Sequence, residues 1–395
     1  MHEGICEALL ANGVQLLYVT NRTVEQTARK IAAGHSSFHC EVSINEKIAF
    51  ELALAGSLAS KRTACLLSSE GLYEAIDSLI ASAYTDVACG FLVIAVQEND
   101  EEVTPVGLFS KLPLLVTESA DEFQRAVEYG YYISGKYKIP VVVQTASFED
   151  SVQRTADSYQ RTVNGWATTP KPRYQPHQEL HDKIEKIRDE FEDYEGNRKT
   201  IKDTTGIITD KLSHLEFYDE DASVLKISTV HPLPDKLVMD FIGDMKEVFM
   251  AETYPAIEFQ IPQGLKVKKG LSGMMHRGPK PEETIYGFHI VRDKLGHASS
   301  INLAHGIKKC MPEKKVLAVT YEDHFFHSGI PAFVNALCND AAYVLLVMSR
   351  DREEEIKNIL HGFGFHNCFH LKAISEIERF QDAKELTVLF CRGIG

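Results

Sequence analysis

Residues 315–330, KVLAVTYEDHFFHSGI, hold the turn on which the fold assignment rests. Val316 to Thr320 are apolar or small residues in a row, the mark of a buried strand, and His327, Ser328 and Gly329 lead into the helical-looking PAFVNAL. Between strand and helix stand Tyr321, Glu322 and Asp323. Strand, short polar turn and helix make one βα unit, and such units in series make an α/β protein with mostly parallel sheets.

The same alternation runs outward from this turn. Downstream and just upstream, strands are expected at 316–320, 343–348 and 386–391, with helices near 299–309, 331–338 and 352–362. Towards the N-terminus, apolar runs at 14–20, 63–68, 90–96 and 140–145 read as strands, and 45–60, 73–84 and 122–135 carry apolar residues at helical spacing. A shorter group of strands, 206–209, 224–228 and 248–252, surrounds the turn-rich HPLPD at 231–235. Between these groups the composition changes. From residue 151 the chain is polar, with Pro170, Pro172 and Pro176 close together, and then reads HQELHDKIEKIRDEFEDY, expected to be a solvated helix laced with charge pairs. KVKKGLSGMMHRGPKP at 266–281 has the composition of a second connector. The expected organisation is three α/β units in series: 1–150, a linker at 151–204, a small middle unit at 205–265, a connector at 266–284, and 285–395.

A chain of 395 residues with 44% hydrophobic and 25% charged side chains is long enough for several cores and looks neither fibrous nor disordered. Its formal net charge of −14 would repel polyphosphate backbones, so no nucleic acid is expected as a partner. The longest apolar run, near 87–96, is far too short for a membrane helix, and the N-terminus MHEGICEALL has no basic region ahead of an apolar one. No membrane partner is expected, and the protein is placed in the cytoplasm. The eight cysteines stand far apart with no C-x-x-C pair, so most should be small buried hydrophobes and no iron–sulfur cluster is expected.

Two histidine-bearing stretches invite a metal reading, and both are set aside. HGFGFHNCFH, with His361, His366, Cys368 and His370, also fits a strand with one wet face and matches no common zinc spacing; His35, His39 and Cys40 carry less still. The acidic run at 98–102 reads as a solvated loop, and 351–355 as an exposed first helical turn where acids suit the helix dipole. Ser328 fits a helix N-cap before PAFVNAL, and His327 is either a substrate partner or a helix-entry residue.

Three segments, in order, resemble the large (alpha) subunit of indolepyruvate:ferredoxin oxidoreductase, within the 2-oxoacid:ferredoxin oxidoreductase superfamily. INEKIAFELALAGSLASKRTACLLSSEGLYEAIDSLIASAY is similar to the family's pyrimidine-binding domain, with its NEK-containing helix and S-x-x-G-L turn. SVLKISTVHPLPDKLVMDFIGDMKEVFMAET resembles its second domain, where the family's strand ends in Glu-Glu and this chain has Glu252-Thr253. SSINLAHGIKKCMPEKKVLAVTYEDHFFHSGIPAFVNALCND resembles its diphosphate-binding domain. The resemblance implies a thiamine-diphosphate-binding fold. It implies that Glu46 stands where a glutamate hydrogen-bonds the aminopyrimidine ring and promotes ylid formation, a role in which a buried carboxyl exchanges a proton with a ring nitrogen. The other reading of Glu46 is a helix residue at a domain interface.

The departures from the family pattern are specific. Its Gly-Asp-Ser turn, which admits the diphosphate and binds magnesium, is followed by TFFHSG; here Tyr321 replaces the glycine and Glu322 the aspartate. The asparagine-containing turn that completes the magnesium site corresponds to Met348-Ser349-Arg350, where Ser349 offers a weak neutral oxygen. The YPGTP loop is replaced by Tyr18 to Thr23, the SSQNEQDNR segment has contracted to QENDEEVTPVGLFSKLP at 97–113, and CPGCPHR with the strand and helix after it is absent, as is the cysteine-rich ferredoxin-like domain. Tyr321, Glu322, Asp323, His327 and Ser349 are therefore the degenerate cofactor positions, with Glu322 or Asp323 the candidate magnesium ligand after a shifted turn. The favoured expectation is a shortened structural or regulatory subunit without bound cofactor, acting as a homodimer or with an oxidoreductase partner subunit. One alternative is an active subunit that uses thiamine diphosphate and Mg²⁺, with Glu46 catalytic, and passes electrons to an iron–sulfur partner. Another is a protein repurposed to bind a different small anion.

Overall fold

The computed structural model describes residues 3–33, 38–97, 103–146, 177–217, 221–252, 256–262, 265, 267–269, 284–285, 287–293 and 297–392. Residues 151–176 of the expected linker 151–204, residues 266 and 270–283 of the expected connector 266–284, His35 and the acidic run at 98–102 lie outside these residues. The chain divides into two compact units, Met1–Met275 and His276–Gly395.

In the first unit the strands are β1 Leu16–Val19, β2 His39–Val42, β3 Thr63–Ser68, β4 Phe91–Gln97, β5 Leu114–Thr117, β6 Val141–Ala146, β7 Arg198–Thr200, β8 Thr205–Thr209, β9 Ser223–Lys226, β10 Thr229–His231, β11 Glu247–Ala251 and β12 Val267–Lys269. They form two sheets, in the orders β10-β5-β6-β4-β3-β1-β2 and β12-β11-β8-β9-β7. Every pairing is parallel except β10 on β5 and β7 on β9. Parallel strands covered on both faces read as continuous apolar runs, which is why β4 could be picked out: Phe91 to Val96 are all buried.

A buried ion pair ties the unit together. The Lys226 side chain, at the end of β9 and 1% exposed, donates from Nζ to both Glu122 oxygens at 2.6 and 2.7 Å and lies 3.0 Å from Glu118. Glu118 in turn accepts the amide N–H of Leu212 and Ser213.

Two expectations for this unit need correction. The charged helix, His177–Phe191, is not solvated all round: Leu180, Ile184, Ile187 and Phe191 are buried in the core. Their spacing puts them on one helical face, and the charges occupy the rest. The helix expected over 73–84 is two, Ser69–Glu74 and Ile76–Ser82, broken at Ala75.

The second unit is one sheet of β13 Thr284–Ile285, β14 Phe288–Arg292, β15 Val316–Tyr321, β16 Val344–Ser349, β17 Cys368–Leu371 and β18 Thr387–Arg392, ordered β13-β14-β15-β16-β18-β17. All pairings but β13 on β14 are parallel. Side chains alternate across a strand, so β15 sends Val316 and Ala318 into one core with Phe325 and Phe333, and Leu317 and Val319 into another with Phe288 and Ile377. The fold class is the expected one, α/β units with mostly parallel sheets.

The helix after β15 begins earlier than its sequence implies. Glu322–His324 is already helical, Phe325–Gly329 forms a wider π turn, and Ile330–Cys338 continues as α-helix. Ser328 is therefore not an N-cap: it lies inside the helix, its Oγ paired with Nδ1 of its neighbour His327. The reason is that the backbone at Tyr321, φ −106° and ψ 158°, is the last extended residue, so the helix starts directly behind it.

Candidate functional site

Glu46 belongs to the first unit, and the other candidates to the second. Asn45 caps the helix Glu46–Leu58 by accepting the Ile48 N–H at 2.9 Å, which fixes Glu46 as the first helical residue, where a carboxylate suits the helix dipole. Glu46 is buried, and its side chain runs directly over Gly71: a Cβ added there would stand 2.1 Å from Glu46 Cγ. Gly71 itself is held by its N–H, donated at 3.0 Å to Ser68 Oγ. The NEK helix and the S-x-x-G-L turn thus meet, and glycine is the residue that leaves room for the carboxylate.

In the second unit the positions expected to match the cofactor turn do not form one cluster. Glu322 is 6% exposed, and its Oε2 accepts four hydrogen bonds: from Ser349 Oγ at 2.8 Å and from the N–H groups of Arg350 at 2.7 Å, Asp351 at 3.2 Å and Arg352 at 3.2 Å. Burial pushes the pKa of this carboxyl up, but the four donors outweigh it and hold it below the usual range. Glu322 and Ser349 therefore bond to each other, and the carboxylate closes the loop that leads from β16 into the helix Glu353–Gly362. Asp323, one residue on, is exposed. Tyr321, which stands in place of the family's glycine, is 52% exposed, with its ring edge-on to His324 at 5.3 Å. Its φ is ordinary extended backbone that any residue adopts.

Reading the sequence missed a second group at the same strand ends. Asp293 follows β14; its side chain is 4% exposed. Oδ1 accepts the Ser300 N–H at 2.9 Å, and Oδ2 accepts Thr320 Oγ1 at 2.7 Å and His324 Nδ1 at 2.8 Å. Burial alone would raise the Asp293 pKa, but these bonds hold it below the usual carboxylate range. The His324 ring stacks on His297, centroids 4.0 Å apart and 15° from parallel, and the His327 ring meets His297 edge-on at 5.1 Å and 84°. The available signal was His324, standing where TFFHSG begins with threonine.

Ligands of open α/β sheets bind outside the carboxyl ends of the strands, and both groups lie at those ends of β14, β15 and β16. That defines the class: an α/β protein with its candidate sites at the C-terminal edges of parallel sheets. Its sequence relatives are more specific. A scan of known protein families finds no match. Among curated proteins, the chain is similar to indolepyruvate oxidoreductase subunit IorA of Archaeoglobus fulgidus, 23% identical over 86% of this chain and 71% of that one. It also matches IorA of Methanothermobacter marburgensis, 24% identical over 68% of this chain and 48% of that one, and IorA of Pyrococcus abyssi, 25% identical over 63% and 44%. The chain thus spans less than half the length of the second and third relatives. Among solved structures it resembles a 2-oxoglutarate:ferredoxin oxidoreductase from Magnetococcus marinus, with a TM-score of 0.47 and 14% identity over 63% of this chain and 56% of that one. The sequence similarity to the Archaeoglobus fulgidus subunit runs through most of the chain. Among the described residues no helix is long and apolar enough to cross a membrane.

Proposed function

We propose that this protein is a non-catalytic structural or regulatory relative of the 2-oxoacid oxidoreductase large subunit, docking a partner subunit or a second copy of itself while its thiamine diphosphate site no longer works. The observation that carries this reading is the Glu322 carboxylate. Magnesium on a diphosphate takes oxygen ligands with near-octahedral geometry, each free to face the ion. Glu322 stands where the family has its magnesium aspartate, and it is engaged by Ser349 and three backbone N–H groups. Ser349, at the family's other ligand position, spends its hydroxyl hydrogen on Glu322. Turning the Glu322 oxygen that accepts these bonds onto a cation would take it from its four donors, a cost of about 1–3 kcal/mol for each group left unsatisfied. The residues present do not fit the magnesium–diphosphate group. The relatives' names call them subunits, which supports a partner for this chain too.

A second reading has one observation in its favour. Glu46 is buried and seated over Gly71, and burial of the carboxyl group supports a ring-activating role for it. Under that reading the chain is an active thiamine-diphosphate-dependent subunit with an iron–sulfur partner. The two separate in one assay: the purified chain, supplied with thiamine diphosphate, Mg²⁺ and a 2-oxoacid, is expected to give no 2-oxoacid-dependent viologen reduction, with or without its co-purifying partner. Turnover that is lost in Glu46→Gln would establish the second reading instead.

A further inference from the structure

We propose that Asp210 and Glu252 are a pH-operated latch: one proton held by the two carboxyls keeps the turn 256–261 closed on β10, and giving that proton to water as pH rises releases it. The pairing of β8 with β11 ends at Thr209 opposite Ala251, so Asp210 and Glu252 come next, side by side at the ends of adjacent parallel strands. Such strands lie about 4.8 Å apart. Asp210 is 2% exposed and Glu252 4%. Two carboxyls so close, and shut off from water, share one charge rather than carry two.

The neighbouring groups decide which carboxyl keeps the proton. His214 Nδ1 lies 3.2 Å from Asp210 Oδ1, and that carboxylate holds the imidazole above its ordinary value, so Asp210 is the member that ionises. Lys211, the next residue, sends Nζ to Gln97 Oε1 at 3.1 Å, and Lys226, across β8, is engaged by Glu122. On the other side, β12 pairs with β11 as far as Met250 and stops short of Glu252. Glu258, on the turn itself, adds a further negative charge. Burial, with Asp210 and Glu258 adding to it, pushes the Glu252 carboxyl up to about 8.

What the proton holds shut is a chain of hydrogen bonds. Glu252 accepts the N–H of Ile257 at 2.8 Å and of Glu258 at 2.9 Å, with Ala256 and Ile257 in the core behind them. These bonds start the short helical turn Glu258–Gln260. Gln260 carries the connection on: its Nε2 donates to the Val230 carbonyl at 2.8 Å, and its Oε1 accepts the Leu233 N–H at 3.2 Å. Val230 lies in β10, the strand added to the edge of the first sheet at β5. A charged Glu252 is driven from Asp210 towards water and takes with it the acceptor of both N–H groups. The turn and its hold on β10 then loosen together.

The test is hydrogen–deuterium exchange of the full chain, read by mass spectrometry from about pH 5.5 to about pH 9 and corrected for intrinsic exchange rates. Because the released carboxyl titrates in the ordinary range, the linkage runs between that range and about 8. Protection of 256–261 and 229–233, relative to a peptide from β4, is therefore expected to fall at least ~10-fold as pH rises towards 8 and to level off above it. Glu252→Gln has no proton to lose, so its profile should be flat. Asp210→Asn removes the neighbouring charge, so its profile should level off at lower pH than the parent's. Far-UV circular dichroism confirms that each variant is folded, and Asp210→Asn carries the test alone if Glu252→Gln is not. The proposal is overturned if the parent's relative protection is independent of pH, if the slope survives in Glu252→Gln, or if Asp210→Asn levels off where the parent does.

Discussion

At the scale of single residues, two buried carboxylates have opposite pH signatures. Glu322 has its folded pKa held low, so the stability it contributes is present above the ordinary carboxylate range and is lost as pH falls through its lowered value. Glu322→Ala leaves one hydroxyl and three amides without their acceptor, and it should cost about 2–3 kcal/mol at neutral pH in chemical denaturation, with the deficit shrinking towards acid. Glu252, buried just past β11, accepts the N–H of Ile257 at 2.8 Å and of Glu258 at 2.9 Å, yet burial, with the nearby Asp210 charge adding to it, pushes its pKa up to about 8. Its favourable contribution is complete below the unfolded carboxyl value and disappears as pH rises towards 8. Glu252→Gln places an amide hydrogen against one of those N–H groups, so at pH 5 it should be less stable than the parent. Its melting temperature should draw level with the parent's or pass it by pH 9, and a gap that stays constant across that range would count against a raised Glu252 pKa. Nothing near Glu322 in the sequence announces its partners, because Ser349 to Arg352 arrive through the pairing of β16 with β15.

At the scale of elements, the buried Lys226 joins β9 to Glu122 in the helix Ala120–Tyr137. Removing one partner of such a pair leaves an uncompensated charge, so Lys226→Met should cost about 3–5 kcal/mol, and the double change Lys226→Met with Glu122→Leu should recover much of that. Equal losses in the single and double variants, measured by urea unfolding, would contradict a pairwise role. Strands and helices were the legible part of this chain: β3 falls on residues 63–68, as its apolar run predicts, and β15 differs by the single residue Tyr321. What failed was what depends on distant partners. The charged helix His177–Phe191 displays Leu180, Ile184, Ile187 and Phe191 at helical spacing, but its many i,i+4 charges hid the apolar face. β10 is three residues long, and its antiparallel pairing with β5 crosses more than a hundred positions, so no local pattern could reveal it.

At the scale of the whole molecule, the chain is similar to an indolepyruvate oxidoreductase subunit over most of its length, and its sheets are mostly parallel, as that similarity leads one to expect. In the first unit a glutamate is seated over a glycine: the sequence singled out Glu46, and its packing against Gly71 is what the fold adds. In the second, the Glu322 carboxylate is held by the adjacent loop, and three histidines with Asp293 lie at the neighbouring strand ends, contacts that no local pattern in the sequence displays. The measurement that bears most directly on this account is isothermal titration of thiamine diphosphate with saturating Mg²⁺ into the full chain. The account predicts no saturable heat; a binding isotherm in the micromolar range, abolished by Glu322→Ala, would contradict it.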